Sequence, residues 1–305
     1  MTDLDFDIEV PVQASGDSKT EPDAATATPV PTGGFRGPLF FDLETVPDSS
    51  REHLFDLPEL PESPSDVTPD EEMLSADEFL SSTIKEMGQL VSAKTPSEEW
   101  LQAVEEAEKS GKNRKGVHDL LFTIRSRQQA YDKALADRIK VMSVTPEYCR
   151  IVALGYACGE NGEPKSIIAT DADEERQLLA TFWELVAACQ GKPILCGFNI
   201  INFDVPVILV RSSILGVEPT RLFDRRPWGD ELLDLMQERF GRGKAMGMKP
   251  LASAYGLEVP AEGVDGSQVY DLYQAGKFDD IRQYVESDVS VTVELHRMWR
   301  HYFYR

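Results

Sequence analysis

The sequence predicts an α/β fold in which a mixed sheet is flanked by helices. Short apolar segments at residues 38–47, 150–158 and 194–198 are typical of buried strands. A turn after the second segment leads into another apolar run, which indicates a hairpin. Helical segments surround the last strand, so we expect a sheet that begins antiparallel and is covered by helices.

The first strand, PLFFDLETVP, carries two acidic residues within an apolar run. Side chains alternate across a strand, so Asp42 and Glu44 point to the same face. Burial strongly penalises an isolated anion. Two carboxylates held this close therefore need a cation, a shared proton or exposure at the end of the strand.

End signals delimit three helices of the core. The segment 171–189 is amphipathic and has acidic residues in its first turn, which interact favourably with the helix dipole. The segment 204–216 has Pro206 in its first turn and Gly216 as its terminator. The long periodic segment 278–303 predicts a C-terminal helix.

Two parts of the chain fall outside the predicted sheet. Residues 1–36 are acidic and rich in threonine, alanine and proline, so we expect a disordered tail. Residues 48–144 are polar and begin as a loop, but 96–110 and 117–142 have helical spacing. The sequence thus predicts one domain, residues 37–305, in which residues 48–144 form a mostly helical insertion.

Two further segments place acidic residues at the edges of core elements. Asp204 follows the stretch GFNIINF, where a predicted strand ends and a helix begins. The carboxyl ends of strands are where open α/β sheets build their sites. In the stretch YVESD, Tyr284 and Asp288 are four residues apart, so they share one face of a helix. This arrangement allows four carboxylates and one phenol to converge at one end of the sheet.

The segments FDLET, NIINFD and YVESD resemble the three motifs of DnaQ-like 3′–5′ exonucleases, in the DEDDy subtype with tyrosine four residues before the last aspartate. The second segment is similar in particular to the proofreading domain of B-family DNA polymerases. The region around the third resembles stand-alone bacterial and phage exonucleases related to that domain. The resemblance covers residues 38–45 and about 150–299 and implies a ribonuclease-H-like fold.

The resemblance also implies two divalent ions, Mg²⁺ or Mn²⁺, bound by oxygen ligands. Asp42 would bridge both ions, and Glu44 and Asp288 would complete the site of the ion that holds the nucleophilic water. Asp204 would support the ion at the leaving group. Tyr284 would orient the attacking water through its hydroxyl.

Four further positions match residues that contact substrate in the family. Leu43 and Thr45 match positions that line the terminal nucleotide near its 3′-hydroxyl. Asn199 and Phe203 match residues that position the scissile end and stack on a base. Stacking on an aromatic ring tolerates any base sequence.

A basic, glycine-rich stretch at residues 239–249 is unusual in so acidic a chain. Arg242, Lys244 and Lys249 are candidates for contacts with substrate phosphates. A solvated loop is an equally good interpretation, and the same two interpretations apply to the arginine pair at 225–226.

Composition narrows the class of function. The net charge of -22 argues against a protein that coats nucleic acid, but a nuclease needs an acidic site to hold metal. No apolar run is long enough to span a membrane, and the N-terminus lacks the layout of a signal peptide. The four cysteines form no CxxC pair, so we expect reduced cysteines in a cytoplasmic protein.

We therefore expect a metal-dependent 3′–5′ exonuclease that releases nucleoside 5′-monophosphates from the 3′ ends of single-stranded DNA. One alternative is the same chemistry on RNA, because no residue clearly reads a 2′-hydroxyl. Another is a catalytically idle nucleic-acid-binding or adaptor protein with the same fold. The tail and the insertion are the candidate sites for a protein partner.

Overall fold

A computed structural model describes residues 30–54, 70–92, 94–224, 229–241, 246–257 and 266–303. The described residues form a five-stranded sheet in the order β3-β2-β1-β4-β5. Its strands are β1 (Leu39–Pro47), β2 (Cys149–Cys158), β3 (Lys165–Ile168), β4 (Leu195–Gly197) and β5 (Leu232–Asp234). Strands β1, β2 and β3 pair antiparallel, whereas β4 runs parallel to β1 and β5. The predicted mixed sheet with an antiparallel start is confirmed.

Helices cover the sheet and fill the segment between β1 and β2. In the described ranges they are α1 (Ala76–Ser81), α2 (Ile84–Ser92), α3 (Glu98–Ser110), α4 (Lys115–Val144), α5 (Ala172–Ala188), α6 (Asp204–Leu215), α7 (Leu235–Phe240), α8 (Met248–Ala254), α9 (Val269–Gln274) and α10 (Phe278–Phe303). The three predicted core helices correspond to α5, α6 and α10. Among the helices of the described ranges, none combines the length and the apolar character that crossing a membrane requires.

The two faces of β1 contribute to different cores. Phe41 and Leu43 pack in the core that includes residues of α5 and α6. Phe40 and Val46 point the other way, into the cores formed with α10. Because side chains alternate, Asp42 and Glu44 share the face that α10 covers. The expectation that the two carboxylates share one face is therefore met.

Helices α1 to α4 have an apolar core of their own. It includes Phe79 and Trp100, whose rings meet edge to face with centroids 4.9 Å apart. The end of α4 reaches the sheet, where the hydroxyl of Thr45 donates a hydrogen bond of 2.6 Å to the carbonyl of Ser143. The boundaries predicted for the tail, the domain and the insertion stay predictions.

Much of the predicted tail, residues 1–29, lies outside the described residues. Phe35, near its end, exchanges backbone hydrogen bonds with the end of α5. Its N–H donates to the carbonyl of Ala188 at 3.1 Å, and its carbonyl accepts from the N–H of Gln190 at 2.8 Å. This contact fixes the start of the chain that enters β1.

Gly155 is where α10 comes closest to the sheet. It lies on β2 directly opposite Asp42 in the register of the two strands. A Cβ atom on Gly155 would lie 2.8 Å from the Cγ2 atoms of both Val285 and Val289, and 2.9 Å from the carbonyl oxygen of Val285. Only a residue without a side chain allows α10 to pack this close to Asp42.

We predict that Gly155→Ala lowers the free energy of unfolding by about 1–3 kcal/mol, because overpacking forces neighbouring groups apart. Gly88→Ala is the matched control, since a Cβ at Gly88 in α2 meets nothing within 4 Å. That control should be neutral or gain about 0.5–1 kcal/mol from the better helix propensity of alanine. Urea unfolding of both variants measures the difference. Equal stabilities would show that α10 does not depend on this contact.

Candidate metal centre

Three of the predicted carboxylates meet on the face of the sheet that α10 covers. One oxygen atom each from Asp42, Glu44 and Asp288 lies within 4.8 Å of the other two. Asp42 is half-buried, whereas the residues Glu44 and Asp288 are only 7% and 6% exposed. Clustered carboxylate oxygens are the ligands that Mg²⁺ and Mn²⁺ prefer. The donor set therefore fits a divalent cation.

Asp204 lies beside this cluster as the first residue of α6. It is only 2% exposed, and its Oδ1 atom accepts a hydrogen bond of 3.0 Å from the N–H of Leu43. In the described structure β4 pairs with β1 only at Leu39 and Phe40, so Leu43 lies beyond the end of that ladder. Asp204 thus accepts the backbone hydrogen bond of Leu43 that a neighbouring strand would otherwise accept. Its second carboxylate oxygen remains available to a metal ion.

Burial raises the pKa values of all four carboxyls, and repulsion by the other carboxylates of the cluster adds to it for Asp42 and Glu44. For Asp42 the pKa lies well above its usual range, because of burial first and then the charges of Asp204, Glu44 and Asp288. The pKa of Glu44 is raised by burial and then by Asp288 and Asp204. Each carboxyl therefore holds its proton to a higher pH than it would in water.

Neighbouring hydrogen bonds moderate two of these shifts. Burial raises the pKa of Asp204 to about 7, although the hydrogen bond from the Leu43 N–H opposes it. Burial raises the pKa of Asp288 to about 6, opposed by the hydroxyl of Tyr284 and the charge of Lys249. A bound cation would favour the ionised forms of these groups and replace their protons.

Tyr284 lies one helical turn before Asp288 on α10, and its hydroxyl hydrogen-bonds to the Asp288 carboxylate. Burial, followed by the charges of Glu44 and Asp288, raises the pKa of Tyr284 above its ordinary value of 10. The phenol is therefore protonated at neutral pH and donates to the carboxylate. The predicted pair of Tyr284 and Asp288 on one helix face is present.

Among the described residues, Lys249 is a basic side chain that lies next to the carboxylates. Its Nζ atom lies 5.2 Å from the centroid of the Tyr284 ring, and its charge lowers the pKa values of Glu44 and Asp288. The sequence indicated Lys249 only as one of several basic residues in a loop. Residues 242–245 and 225–228 lie outside the described residues, so the other basic positions stay predictions.

Asp234 is a structural carboxylate of the site that the sequence did not single out. It is buried at the start of α7 and accepts hydrogen bonds from the N–H groups of Asn199 at 3.0 Å and Ile201 at 3.1 Å. It also accepts from the N–H of Met236. Asn199 has a φ of 67°, in the left-handed region that few side chains adopt. Asp234 therefore holds the loop that leads into Asp204.

The four predicted substrate contacts lie around the carboxylates without forming one surface. Leu43 is buried among apolar residues on the opposite face of β1, and Thr45 is bonded to the end of α4. Asn199 and Phe203 lie on the loop before α6, with the Phe203 ring partly buried against the core. Their contacts with substrate stay predictions.

A ribonuclease-H-like sheet with acidic side chains on its first strand and its last helix defines the class of this protein. The chain matches a family described as a predicted 3′–5′ exonuclease related to the exonuclease domain of PolB, over residues 144–302. The match covers about half of the 305 residues, so the chain belongs to this family. A comparison with curated proteins found no match.

The family match confirms the resemblance read from the three motifs. It includes Asp204, Tyr284 and Asp288 but begins after the strand that carries Asp42 and Glu44. Pairing of β1 with β2 along its whole length nevertheless brings that strand to the matched part of the fold. The acidic cluster is thus assembled from both parts of the chain.

We predict that the metal-free protein loses stability as the pH rises from about 5 to 8. Carboxyls with raised pKa values bind more protons in the folded state than in the unfolded state, where they titrate near 4. Their stabilisation is therefore present at low pH and is lost as the pH passes about 6 for Asp288 and about 7 for Asp204. Melting temperatures measured in EDTA should fall by several degrees over this range.

Mg²⁺ or Mn²⁺ should remove this fall, because the cation replaces the protons. Asp288→Asn should flatten the metal-free curve, since one of the repelling charges is gone. A melting temperature that rises steadily from pH 5 to 8 in EDTA, with the same slope in Asp288→Asn, would contradict the electrostatic account.

Proposed function

We propose that this protein is a metal-dependent 3′–5′ exonuclease that degrades single-stranded DNA to nucleoside 5′-monophosphates. The observation that carries the proposal is the cluster of Asp42, Glu44 and Asp288 in a chain of this exonuclease family. Of the described residues, these three bring carboxylate oxygens close enough to share a cation. Phosphodiester hydrolysis by paired divalent ions needs such a set of oxygen ligands.

The residues divide between two cation positions. When bound, divalent ions make water a stronger nucleophile and stabilise charge on the phosphate. Asp42 would be shared by the two ions, with Glu44 and Asp288 completing the first position. Asp204 would serve the second, because one of its oxygens is occupied by the Leu43 N–H and the other remains. The hydrogen bond to Leu43 also fixes Asp204 relative to β1.

Tyr284 acts by orientation rather than by removing a proton. Its raised pKa keeps the phenol protonated at neutral pH, and its hydroxyl donates a hydrogen bond to the Asp288 carboxylate. From that position the hydroxyl fixes the carboxylate and would orient a water bound beside it. Lys249, which lies over the ring of Tyr284, supplies a positive charge for the scissile phosphate.

Substrate would reach the cluster past the loop that precedes α6. Phe203 offers a partly buried ring for stacking on a base, and Asn199 an amide on the strained loop. Leu43 and Thr45 would support the terminal nucleotide from behind the first strand, since Leu43 is buried on the opposite face of β1 and the Thr45 hydroxyl is bonded to Ser143. Because the chain has a net charge of -22, affinity for DNA must come from such local contacts. We place the protein in the cytoplasm, with the tail or insertion available to a protein partner.

We predict that Asp42→Asn or Asp288→Asn lowers the cleavage rate at least about 10²-fold, since even the outer hydrogen-bond partners of metal ligands contribute 10–100-fold. Glu294→Gln is the matched control, because Glu294 is a half-exposed acid on α10 that pairs with Arg297. The assay follows a 5′-labelled DNA strand as it shortens from its 3′ end, in Mg²⁺, Mn²⁺ or EDTA. Cleavage in EDTA, or full activity of both asparagine variants, would refute the proposal.

The same assay with an RNA strand of matched sequence tests whether the enzyme prefers DNA or RNA. Faster degradation of RNA would change the substrate to RNA and keep the chemistry. Binding of both strands without cleavage in any metal would instead indicate a catalytically idle binding protein.

We predict that Tyr284→Phe reduces cleavage by about 10- to 100-fold, less than the 10²–10⁴ of a full acid–base catalyst. The variant keeps the ring and loses the hydrogen bond that lowers the pKa of Asp288. Asp288 then titrates at a higher pH, so the loss should be larger at pH 6.5 than at pH 8.5. Tyr302→Phe, on an exposed residue of the same helix, is the control. A Tyr284→Phe rate equal to that of the wild type at both pH values would exclude the role assigned to the Tyr284 hydroxyl.

A further inference from the structure

A cavity outside the carboxylate cluster contains two arginines. It has a volume of about 420 Å³ and lies at the C-terminal end of β1, between α4 and α9. Arg138 and Arg150 contribute to its wall, together with Tyr270, Tyr273 and Pro47. Pro47 is on the same strand as Glu44, three residues further on. The cavity is therefore separate from the metal centre but close to it along the strand.

Arg150 is a half-buried cation with two guanidinium nitrogens that lack partners among the described residues. Its Nε and Nη2 atoms are buried, and neither has a hydrogen-bond partner in the described part of the chain. Its guanidinium carbon lies 5.6 Å from the centroid of the Tyr273 ring. That ring is fixed because its hydroxyl donates a hydrogen bond of 2.6 Å to the carbonyl of Thr170. A cation–π contact compensates only part of the cost of burying these groups.

Two other arginines of the described residues, one buried and one half-buried, have acidic partners. Arg211 is bound by Glu175 at 2.7 Å and by Asp48 at 3.0 Å. Arg114 is bound by Glu108 at 2.8 Å. The chain has 53 acidic and 31 basic residues, so carboxylates are plentiful. Arg150 nevertheless makes no ion pair with a described residue, which leaves its charge available to an anion from outside.

Asp48 also lines the cavity, but it is already engaged. One of its oxygens pairs with Arg211 and the other accepts hydrogen bonds from Ser50. Arg211 is shared between Glu175 and Asp48, so one negative charge of these three groups stays unbalanced, but the Asp48 oxygens are engaged by Arg211 and Ser50 rather than by Arg150. The remaining polar atoms of the wall include the amide of Gln274, which can donate to an oxyanion.

We propose that this cavity binds a phosphate group through the guanidinium of Arg150. The planar fork of arginine matches the oxygens of phosphate, and charge-assisted hydrogen bonds of this kind are strong. On the basis of the proposed function, the phosphate is a phosphodiester of the DNA strand whose 3′ end lies at Asp42 and Glu44. Three residues of β-strand span about 10 Å, a distance that a few linked nucleotides cover.

The test compares full-length Arg150→Gln with Arg176→Gln, which removes a half-exposed arginine on the surface of α5. Two substrates separate the sites: a DNA 12-mer, and the p-nitrophenyl ester of thymidine 5′-monophosphate, which has no phosphate beyond the reacting one. Arg150→Gln should raise KM for the 12-mer by about 10- to 100-fold and leave the ester unchanged. It should also reduce the salt slope of 12-mer binding by about 0.7. Arg176→Gln should change neither substrate.

Inorganic phosphate in EDTA tests the cavity without catalysis. It should raise the melting temperature of the wild type and of Arg176→Gln, but not that of Arg150→Gln. Arg150→Lys keeps the charge without the fork and should give an intermediate effect, which serves as the second variant if Arg150→Gln does not fold.

The outcomes separate this proposal from the proposed function. If the wild type cleaves neither substrate, the exonuclease proposal fails, and phosphate protection alone decides whether the cavity is an anion site. If phosphate raises the melting temperature but Arg150→Gln leaves KM for the 12-mer unchanged, the cavity binds free phosphate or a mononucleotide. That result would overturn the proposal that it binds the DNA strand. No protection, or an equal change in both substrates, would overturn the anion site itself.

Discussion

The close packing of α10 on β1 and β2 is the contact on which the site depends. Gly155 allows the helix to approach the sheet opposite Asp42, with Val285 and Val289 against the glycine. Asp288 follows Val285 by three residues and is therefore brought to the carboxylates of the first strand. Neither element holds enough ligands alone. The apolar contact between helix and sheet thus determines whether the acidic cluster exists.

This packing has an electrostatic cost that the surroundings reduce. Burial and repulsion oppose ionisation of the carboxyls, while the Leu43 N–H, the Tyr284 hydroxyl and Lys249 favour it for particular residues. Asp234 acts further out, through the backbone of the loop before Asp204. Backbone N–H groups and neighbouring side chains therefore hold the carboxylates in place. A bound cation would supply the positive charge that these groups leave unbalanced.

The cavity at the end of β1 places a second positive charge where it could contact the DNA substrate. An acidic chain can hold a polyanion only where a few basic side chains lie along the path of the strand. Lys249 lies beside the candidate metal centre. Arg150 lies on β2 next to the C-terminal end of β1, with the ring of Tyr273 beside its guanidinium. The two basic side chains would then contact the same strand of DNA at different phosphates.

Long periodic segments were predictable from the sequence, and contacts between distant segments were not. The first strand, the hairpin after it and α10 follow from alternation and helical spacing. The strand β5 and helices α7 to α9 were missed, because three to seven residues carry little periodicity. Asp42, Glu44 and Asp288 were predictable because their motifs are local. Asp234 and Gly155 were not, since each acts on a segment more than 30 residues away.

The central claim is that the cluster binds a divalent cation, and titration of Mn²⁺ into the metal-free protein tests it most directly. Calorimetry at pH 8, with the wild type, Asp42→Asn and Glu294→Gln side by side, measures the affinity without any substrate. The account predicts saturable binding to the wild type and to Glu294→Gln, with affinity weakened at least tenfold in Asp42→Asn. Equal affinity in all three proteins, or no binding to the wild type, would contradict it.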